Sequence, residues 1–242
     1  VVHPSNYKVR GFTAEVPLAD LAALGRRVDV PLIYDLGGGV LVDLEQWGLP
    51  HEPVVAASLA AGVDLVSFSG DKVLGGPQVG IIAGRQAYVE RIRKNPLMRA
   101  LRCDKLVYAT LEAVLRLYRM PPEQLAMALP TLAMMSAGID VVQRRAQQLI
   151  DLVSSEVRDS LRMEIAESSA QAGSGAMPLA ELASRAVTIA PTTMGVEASA
   201  RRLRRQGVVG RIAQDRLFLD MRTVADEEVA WVAQALAEAV AI

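Results

Sequence analysis

The sequence predicts an α/β fold with a largely parallel sheet in its first part, followed by a small α+β domain. Three observations predict it. Between residues 13 and 94, short β-rich runs alternate with helical patterns, an order typical of parallel sheets. Asn95-Pro96 and Pro121-Pro122 then interrupt the chain. Beyond them, short strands and helices interleave as far as residue 239.

The elements of the first part follow from hydrophobic periodicity and capping residues. A helix is expected over residues 13–27, with Thr13 as its cap and leucines on one face. The other expected elements are strands at residues 31–34, 63–68 and 80–84 and helices at residues 53–61 and 86–94.

The second part begins with a strong helical pattern over residues 103–118, interpreted as a connector. Residues 129–158 are expected to be mostly helical, with a break near Gly138. The remaining predicted elements are strands at residues 163–166, 186–190, 208–213 and 216–220 and helices at residues 196–205 and 226–239.

Composition indicates a globular protein, because 51% of the 242 residues are hydrophobic and 22% are charged. The net charge of −1 gives no overall attraction to nucleic acid or to an anionic membrane. A single cysteine, Cys103, excludes an internal disulfide framework and fits a reducing, cytoplasmic compartment. No apolar run reaches the ~20 residues of a membrane-spanning helix. His3 and His51 lie too far apart to suggest a metal site.

Lys72 and Asp35 are the candidate chemical groups. Lys72 follows a β-rich run and stands between Ser69 and a glycine pair, where a lysine is well placed to form a Schiff base with a carbonyl compound. Asp35 ends an earlier strand and could hold a pyridine nitrogen protonated, so the pair fits a pyridoxal phosphate site. The Ser69 hydroxyl and the backbone N–H groups after it could hold the phosphate. The alternative is that Asp35 caps a turn and Lys72 pairs with Asp71 at the surface.

Two groups of arginines have alternative interpretations. The i, i+3 spacing of Arg99 and Arg102 places both on one side of a helical turn, where two guanidiniums could bind an oxyanion in bidentate fashion. The alternative is that they form a solvated helix face. A second group is interpreted mainly as an exposed helix face, with nucleic acid contact as the alternative. Its members are Arg201, Arg202, Arg204, Arg205 and Arg211.

Several motifs together resemble the bacterial selenocysteine synthase family, the L-seryl-tRNA(Sec) selenium transferases. The most specific is the run from Ser69 to Gln78, Ser-Gly-Asp-Lys-Val-Leu-Gly-Gly-Pro-Gln. The resemblance is strong over residues 2–120 and weaker as far as residue 224. The other matching runs are residues 3–7, 11–13, 35–39, 62–66 and 99–105.

The resemblance implies a fold-type-I pyridoxal phosphate enzyme that assembles into large homo-oligomers in the cytoplasm. It implies that Lys72 is the Schiff-base lysine and that Asp35 is the partner of the pyridinium nitrogen. Arg99 and Arg102 would receive selenophosphate. The cofactor-binding residues are then Lys72, Asp35, Ser69 and Asn6, and the catalytic residues are Lys72, Asp71, Arg99 and Arg102.

The implied reaction converts seryl-tRNA(Sec) to selenocysteinyl-tRNA(Sec) with selenophosphate, through a dehydroalanyl intermediate. Two alternatives stay open. One is a related pyridoxal phosphate lyase acting on a small phosphorylated amino or sugar acid. The other is a non-catalytic subunit that kept the fold, because Gly38 replaces a serine usual in the family and residues 191–205 look shortened.

The chain opens at Val1 with what resembles the end of a strand, so we expect the C-terminal part of a longer polypeptide. Residues 1–105 are then the C-terminal part of the cofactor-binding large domain, and residues 106–242 are a connector helix and a small α+β domain. The absent half would supply a tRNA-binding domain and the rest of the cofactor site. The 242 residues alone are expected to bind pyridoxal phosphate poorly and to show no turnover.

Overall fold

The computed structural model describes residues 1–5, 11–173, 177 and 181–240. The chain divides into two compact units. The first comprises Val1–Ser136 with Ala172–Ala180, and the second comprises Ala137–Gln171 with Glu181–Ile242.

The first unit contains a three-stranded mixed sheet. Its strands are β1 (Ile33–Gly37), β2 (Leu65–Ser69) and β3 (Gly80–Gly84), in that order across the sheet. β1 and β2 are parallel, but β3 runs antiparallel to β2, so the sheet is not largely parallel as expected. The reason is that residues 70–79 form only a turn between β2 and β3, whereas a parallel return needs a longer crossover. On the other side of β1, Val2 makes an isolated parallel bridge with Asp35.

The alternation of side chains along β1 and β2 separates the core from the site. One face of the two strands is buried and carries Tyr34, Leu36, Val66 and Phe68. The opposite face carries Asp35 on β1 and Ser67 and Ser69 on β2. The sheet therefore presents its polar side chains together on one side.

Seven helices and one short 3-10 turn complete the described part of the first unit. The helices are α1 (Leu18–Val28), α2 (Val55–Ala60), α3 (Gln86–Arg93), α4 (Leu97–Ala100), α5 (Lys105–Leu117), α6 (Pro122–Ala128) and α7 (Pro130–Ser136), and the 3-10 turn is Leu44–Trp47. The expected helix cap at Thr13 is wrong, because α1 begins only after Pro17. A proline disfavours helical conformation in the residue before it, here Val16.

Helix α5 belongs to the first unit and not to a boundary region. Leu111 and Val114 of α5, and Tyr118 after it, pack against the core of the three-stranded sheet. The Tyr118 hydroxyl also donates a hydrogen bond to the Leu74 carbonyl oxygen at 3.1 Å. The first unit therefore includes α5 and extends to Ser136, with Ala172–Ala180 as its second segment.

The second unit is a four-stranded antiparallel sheet with helices packed on it. Its strands are β4 (Glu164–Gln171), β5 (Glu181–Ile189), β6 (Arg211–Ala213) and β7 (Arg216–Asp220), in the order β4-β5-β7-β6. Its helices are α8 (Ile139–Leu152), α9 (Ser155–Leu161), α10 (Val196–Arg205) and α11 (Val229–Val240). The helices and one sheet face share a core with fully buried Leu149, Leu203 and Leu217.

Candidate functional site

Asp35 lies on the polar side of β1, directly opposite Ser67 of β2. The Ser67 hydroxyl donates a hydrogen bond to Asp35 Oδ1 at 3.0 Å, and the Gly37 N–H donates to the same oxygen at 3.4 Å. The other oxygen, Oδ2, accepts no hydrogen bond from any residue that the structure describes. One oxygen thus orients the carboxylate, and the other remains open to a ligand.

Lys72 is presented by a tight turn, residues 70–79, which we call the lysine turn. The N–H of Gly70 donates to the Val79 carbonyl at 2.8 Å, and that of Gly76 donates to the Gly70 carbonyl at 2.7 Å. The N–H of Gly75 donates to the carbonyl of Lys72 itself at 3.0 Å. These three N–H groups are therefore occupied within the turn, which reduces the backbone donors expected for a phosphate.

The lysine turn contacts the turn that follows β1. The Val73 N–H donates a hydrogen bond to the Gly38 carbonyl at 3.1 Å. Gly39 has a φ of +72°, and a Cβ there would overlap the carbonyl oxygen of Ser69. Only glycine permits this conformation and this approach. The contact brings Asp35 and Lys72, 37 positions apart in the printed sequence, into one site.

Gly37 lies between the Lys72 side chain and Ser5 of the N-terminal segment. Its φ is +66°, and a Cβ there would overlap the Ser5 hydroxyl and lie 3.9 Å from Lys72 Nζ. Lys72 is half-buried and Asp71 is exposed. No carboxylate in the described part of the chain, Asp71 included, forms an ion pair with Lys72. The structure therefore does not show the surface pairing that was the alternative interpretation.

His3 and Ser5 belong to this site, although the sequence gave them no separate role. The His3 N–H donates to the Asp35 carbonyl at 2.8 Å, which holds the segment along β1. The His3 ring lies 3.2 Å from buried Glu52, measured from Nε2 to Oε2. Their position within a motif of the family resemblance was the available signal. Asn6, predicted to lie near the cofactor ring, falls outside the described residues.

Tyr34 lies beneath the polar face, with its ring edge-on to His3 at a centroid distance of 6.5 Å. Burial raises the pKa of the Tyr34 phenol, and the charges of Glu15 and Glu52 raise it further. The phenol is therefore neutral at physiological pH, and its ring packs in the core beneath the sheet.

Ser69 ends β2 immediately before the lysine turn and is half-buried. Its carbonyl oxygen faces Gly39, as described above. Its hydroxyl makes no hydrogen bond to residues within the described ranges. It is thus available to an anionic group beside Lys72.

Arg99 and Arg102 lie on and just after the short helix α4, and both are exposed. Asp104 follows them and caps α5, with Oδ1 accepting from the N–H groups of Leu106 and Val107 at 2.8 and 3.0 Å. Neither arginine pairs with a carboxylate of the residues described. No hydrogen bond or ion pair joins either of them to Lys72, so their part in the site remains a proposal.

Comparison with known proteins shows the family. The family model for L-seryl-tRNA selenium transferase matches residues 1–225. The chain belongs to this family. It is 46% identical over 240 residues to the L-seryl-tRNA(Sec) selenium transferase of Moorella thermoacetica, covering 98% of this chain and 51% of that protein. It is 45% identical over 243 residues to the enzyme of the same name from Nitratidesulfovibrio vulgaris, covering 100% of this chain and 52% of that protein.

The chain spans about half the length of the curated relatives that it matches. Among solved structures, D-glucosaminate-6-phosphate ammonia-lyase is similar, with a TM-score of 0.51 and 18% identity over 93% of this chain and 53% of that one. This likeness concerns the fold alone, and it confirms the fold-type-I class predicted from the sequence.

Two further properties concern the described part of the chain. No helix in it is both long and apolar enough to cross a bilayer. It also contains no group of His, Cys, Asp and Glu side chains that could hold a metal ion.

The residues present fit pyridoxal phosphate. Judged by contacts with described residues, they offer a carboxylate with one open oxygen (Asp35), a primary amine without a carboxylate partner (Lys72) and an unengaged hydroxyl at a strand end (Ser69). Gly37, which has no side chain, lies beside the amine and allows the Ser5 hydroxyl to approach its backbone closely.

Proposed function

We propose that the protein containing this chain converts seryl-tRNA(Sec) to selenocysteinyl-tRNA(Sec), using selenophosphate and pyridoxal phosphate. The observation that carries the proposal is the meeting of Asp35 and Lys72 on two contacting turns, in a chain 46% identical to a named selenium transferase. The cofactor, when bound, supplies an electron-withdrawing ring that stabilises negative charge on the substrate carbon.

Each residue then has a defined task. Asp35, oriented by Ser67, holds the ring nitrogen in its protonated state through its open oxygen. Lys72 Nζ would hold the cofactor, and the same amine in its free form would accept the proton from the seryl α-carbon. The Ser69 hydroxyl donates to the cofactor phosphate.

Arg99 and Arg102 are proposed to receive selenophosphate. Both guanidiniums are exposed and unpaired within the described residues, and neighbouring guanidiniums bind phosphate-like anions through charge-assisted hydrogen bonds. Asp71 is proposed as a further catalytic residue, since it stands beside Lys72 in the lysine turn.

A homo-oligomer is part of the proposal. The segment from α4 to α5 exposes apolar side chains, with Leu97 66%, Leu101 69% and Leu106 70% accessible. Exposed apolar residues this close together are typical of surfaces that associate. The tRNA substrate makes the cytoplasm the expected location.

The two alternatives have less support. A small-molecule lyase is less supported because relatives at 45–46% identity are named as tRNA enzymes. A non-catalytic subunit is less supported because Gly38 acts through its backbone: its N–H donates to Leu36 and its carbonyl accepts from Val73. Losing a serine side chain there leaves these contacts in place.

The test is direct. The purified protein is incubated with seryl-tRNA(Sec), pyridoxal phosphate and radiolabelled selenophosphate, and label on the tRNA is measured. We expect selenium in the aminoacyl group. A protein that binds the cofactor and transfers no label would refute the proposal, and ammonia release from small amino-acid phosphates would then favour the lyase.

A further inference from the structure

The outer face of helix α10 concentrates positive charge in the second unit. Arg201, Arg204 and Arg205 are all exposed there, and their spacing places them on one side of the helix. The opposite side carries Ala200 and Leu203, which are buried in the core of this unit. Because Ala200 and Leu203 pack into the core, the three arginines lie on the solvent-exposed side of the helix.

The protein does not neutralise these three charges. No carboxylate of the described residues forms an ion pair with any of them, and Glu197, one turn before Arg201, does not either. Other arginines of this unit behave differently. Those that pair with an Asp or Glu are Arg144, Arg145, Arg185 and Arg216. Because the chain as a whole carries a net charge of −1, an anion would be attracted by this local cluster and not by the whole molecule.

An aromatic side chain flanks the arginines. α10 is followed by Gly207, whose N–H donates to the Arg204 carbonyl at 3.0 Å. A Cβ on Gly207 would lie 2.9 Å from the ring of Trp231, so the indole packs at the end of the helix. Trp231 is nevertheless 47% exposed. Guanidinium groups bind phosphates, and an exposed indole ring can stack on a nucleobase. A surface with both groups therefore favours RNA over an acidic protein as its ligand.

We propose that Arg201, Arg204, Arg205 and Trp231 form a contact surface for tRNA, with the arginines on its phosphate backbone. The inference rests on the proposed function, in which tRNA is the substrate. It adds that the second unit takes part in holding that substrate.

The test is the salt dependence of tRNA binding by the purified protein, measured by filter binding over a range of KCl concentrations. The triple variant Arg201→Gln, Arg204→Gln, Arg205→Gln should bind at least about 10-fold more weakly at low salt. The slope of log affinity against log salt should fall by roughly 2–3, because each lost phosphate contact removes about 0.7–0.9. The triple Arg→Lys variant should keep the wild-type slope, and Trp231→Leu should weaken binding without changing the slope.

The matched control is Arg211→Gln. Arg211 is opposite Phe218 in the β6–β7 register and stacks over its ring at 4.9 Å, on the face of the sheet away from the core and α10. This control should bind tRNA like the wild type. A triple variant with wild-type affinity and slope would overturn the inference, as would an equal loss in Arg211→Gln. Both would leave the proposed function standing, whereas a wild-type protein that does not bind tRNA would overturn both.

Discussion

Two side chains and the turns that carry them define the candidate site. Asp35 is oriented through one oxygen by Ser67, and Lys72 stands above Gly37 without a carboxylate partner among the described residues. A carboxylate for the ring nitrogen and an amine for the aldehyde carbon are two of the groups that pyridoxal phosphate requires. The chemistry proposed for this chain depends on both.

Replacing Arg99 or Arg102 by alanine should impair selenium transfer and leave cofactor loading nearly intact. Each guanidinium is assigned to the incoming anion, and one charge-assisted contact contributes about 1.5–3 kcal/mol. The use of selenophosphate should therefore weaken by roughly one to two orders of magnitude. The measurements are the selenophosphate dependence of label transfer and the absorbance of bound cofactor.

Arg119→Ala is the control for this pair, because it removes an exposed arginine beyond α5. It should transfer selenium at the wild-type rate. Loss of bound cofactor in the Arg99 or Arg102 variant would show that the anion assignment is wrong.

The sequence identified Asp35, Ser69 and Lys72 because each follows a strand-like run and lies in a recognisable local motif. It did not identify the contact of Ser5 with Gly37, because that contact joins the segment before β1 to the turn after it. It also did not show that Gly39 must accommodate the Ser69 carbonyl. Such close approaches depend on how separate segments pack and leave no local pattern.

Gly39 should tolerate alanine much less well than Gly48 does. The two glycines have nearly equal φ values, +72° and +71°, but nothing lies within 4 Å of a Cβ at Gly48. Gly48→Ala should cost only the conformational term, about 1–2 kcal/mol. Gly39→Ala should add the displacement of the Ser69 carbonyl and cost about 2–5 kcal/mol.

Urea unfolding of the two variants measures this difference. Gly39→Ala should also reduce cofactor binding, because the contact it disturbs places Lys72 beside Asp35. Equal losses of stability in the two variants would contradict the close approach of the two turns.

Tyr118 should make stability depend on pH in the alkaline range. Its hydroxyl donates to the Leu74 carbonyl, and burial raises its pKa to about 12. The unfolded chain loses this proton near pH 10, so between pH 10 and 12 it holds fewer protons than the folded chain. The free energy of unfolding should therefore fall as pH rises through this interval, and below pH 10 this group should add no pH dependence.

Tyr118→Phe removes this titration together with the hydrogen bond. At pH 8 the variant should be less stable by about 1 kcal/mol. From pH 10 to 12 its stability should fall less steeply than that of the wild type, and denaturant unfolding at each pH measures both. Parallel pH curves for the two proteins would show that the phenol is not held in its neutral form.

The sequence predicted best those helices and strands whose limits are set by residues close to them in the chain. The limits of β3 and α10 agree with those expected, since each has a clear periodic pattern between breaking residues. The antiparallel direction of β3 and the late start of α1 were missed. The first depends on the length and shape of the lysine turn, and the second on Pro17.

Among the described residues, each of the two units contains a hydrophobic cluster of its own. One surrounds the three-stranded sheet with Tyr34, Val66 and Leu74, and the other fills the second unit. Hydrophobic patterning predicted that both regions would fold. It did not show that α5 packs on the first of these clusters, because that packing is a long-range contact.

Leu149→Ala should destabilise the second unit. Leu149 is fully buried in that core, and a truncation of this kind costs about 2–5 kcal/mol. Hydrogen exchange should accelerate in β5 and α11 and stay unchanged in β1 and β2, which contribute to the other core. Leu152→Ala, on the same helix but 51% exposed, is the control and should change little. Uniform acceleration across both units would contradict the assignment of Leu149 to the cluster of the second unit alone.

The attachment point of the cofactor tests the proposed site most directly. The purified, active protein is loaded with pyridoxal phosphate, reduced with borohydride, digested and analysed by mass spectrometry. We expect a phosphopyridoxyl group on the peptide containing Lys72, with neither label nor selenium transfer in Lys72→Ala. Label on a different lysine, or full selenium transfer by Lys72→Ala, would contradict the site proposed for this chain.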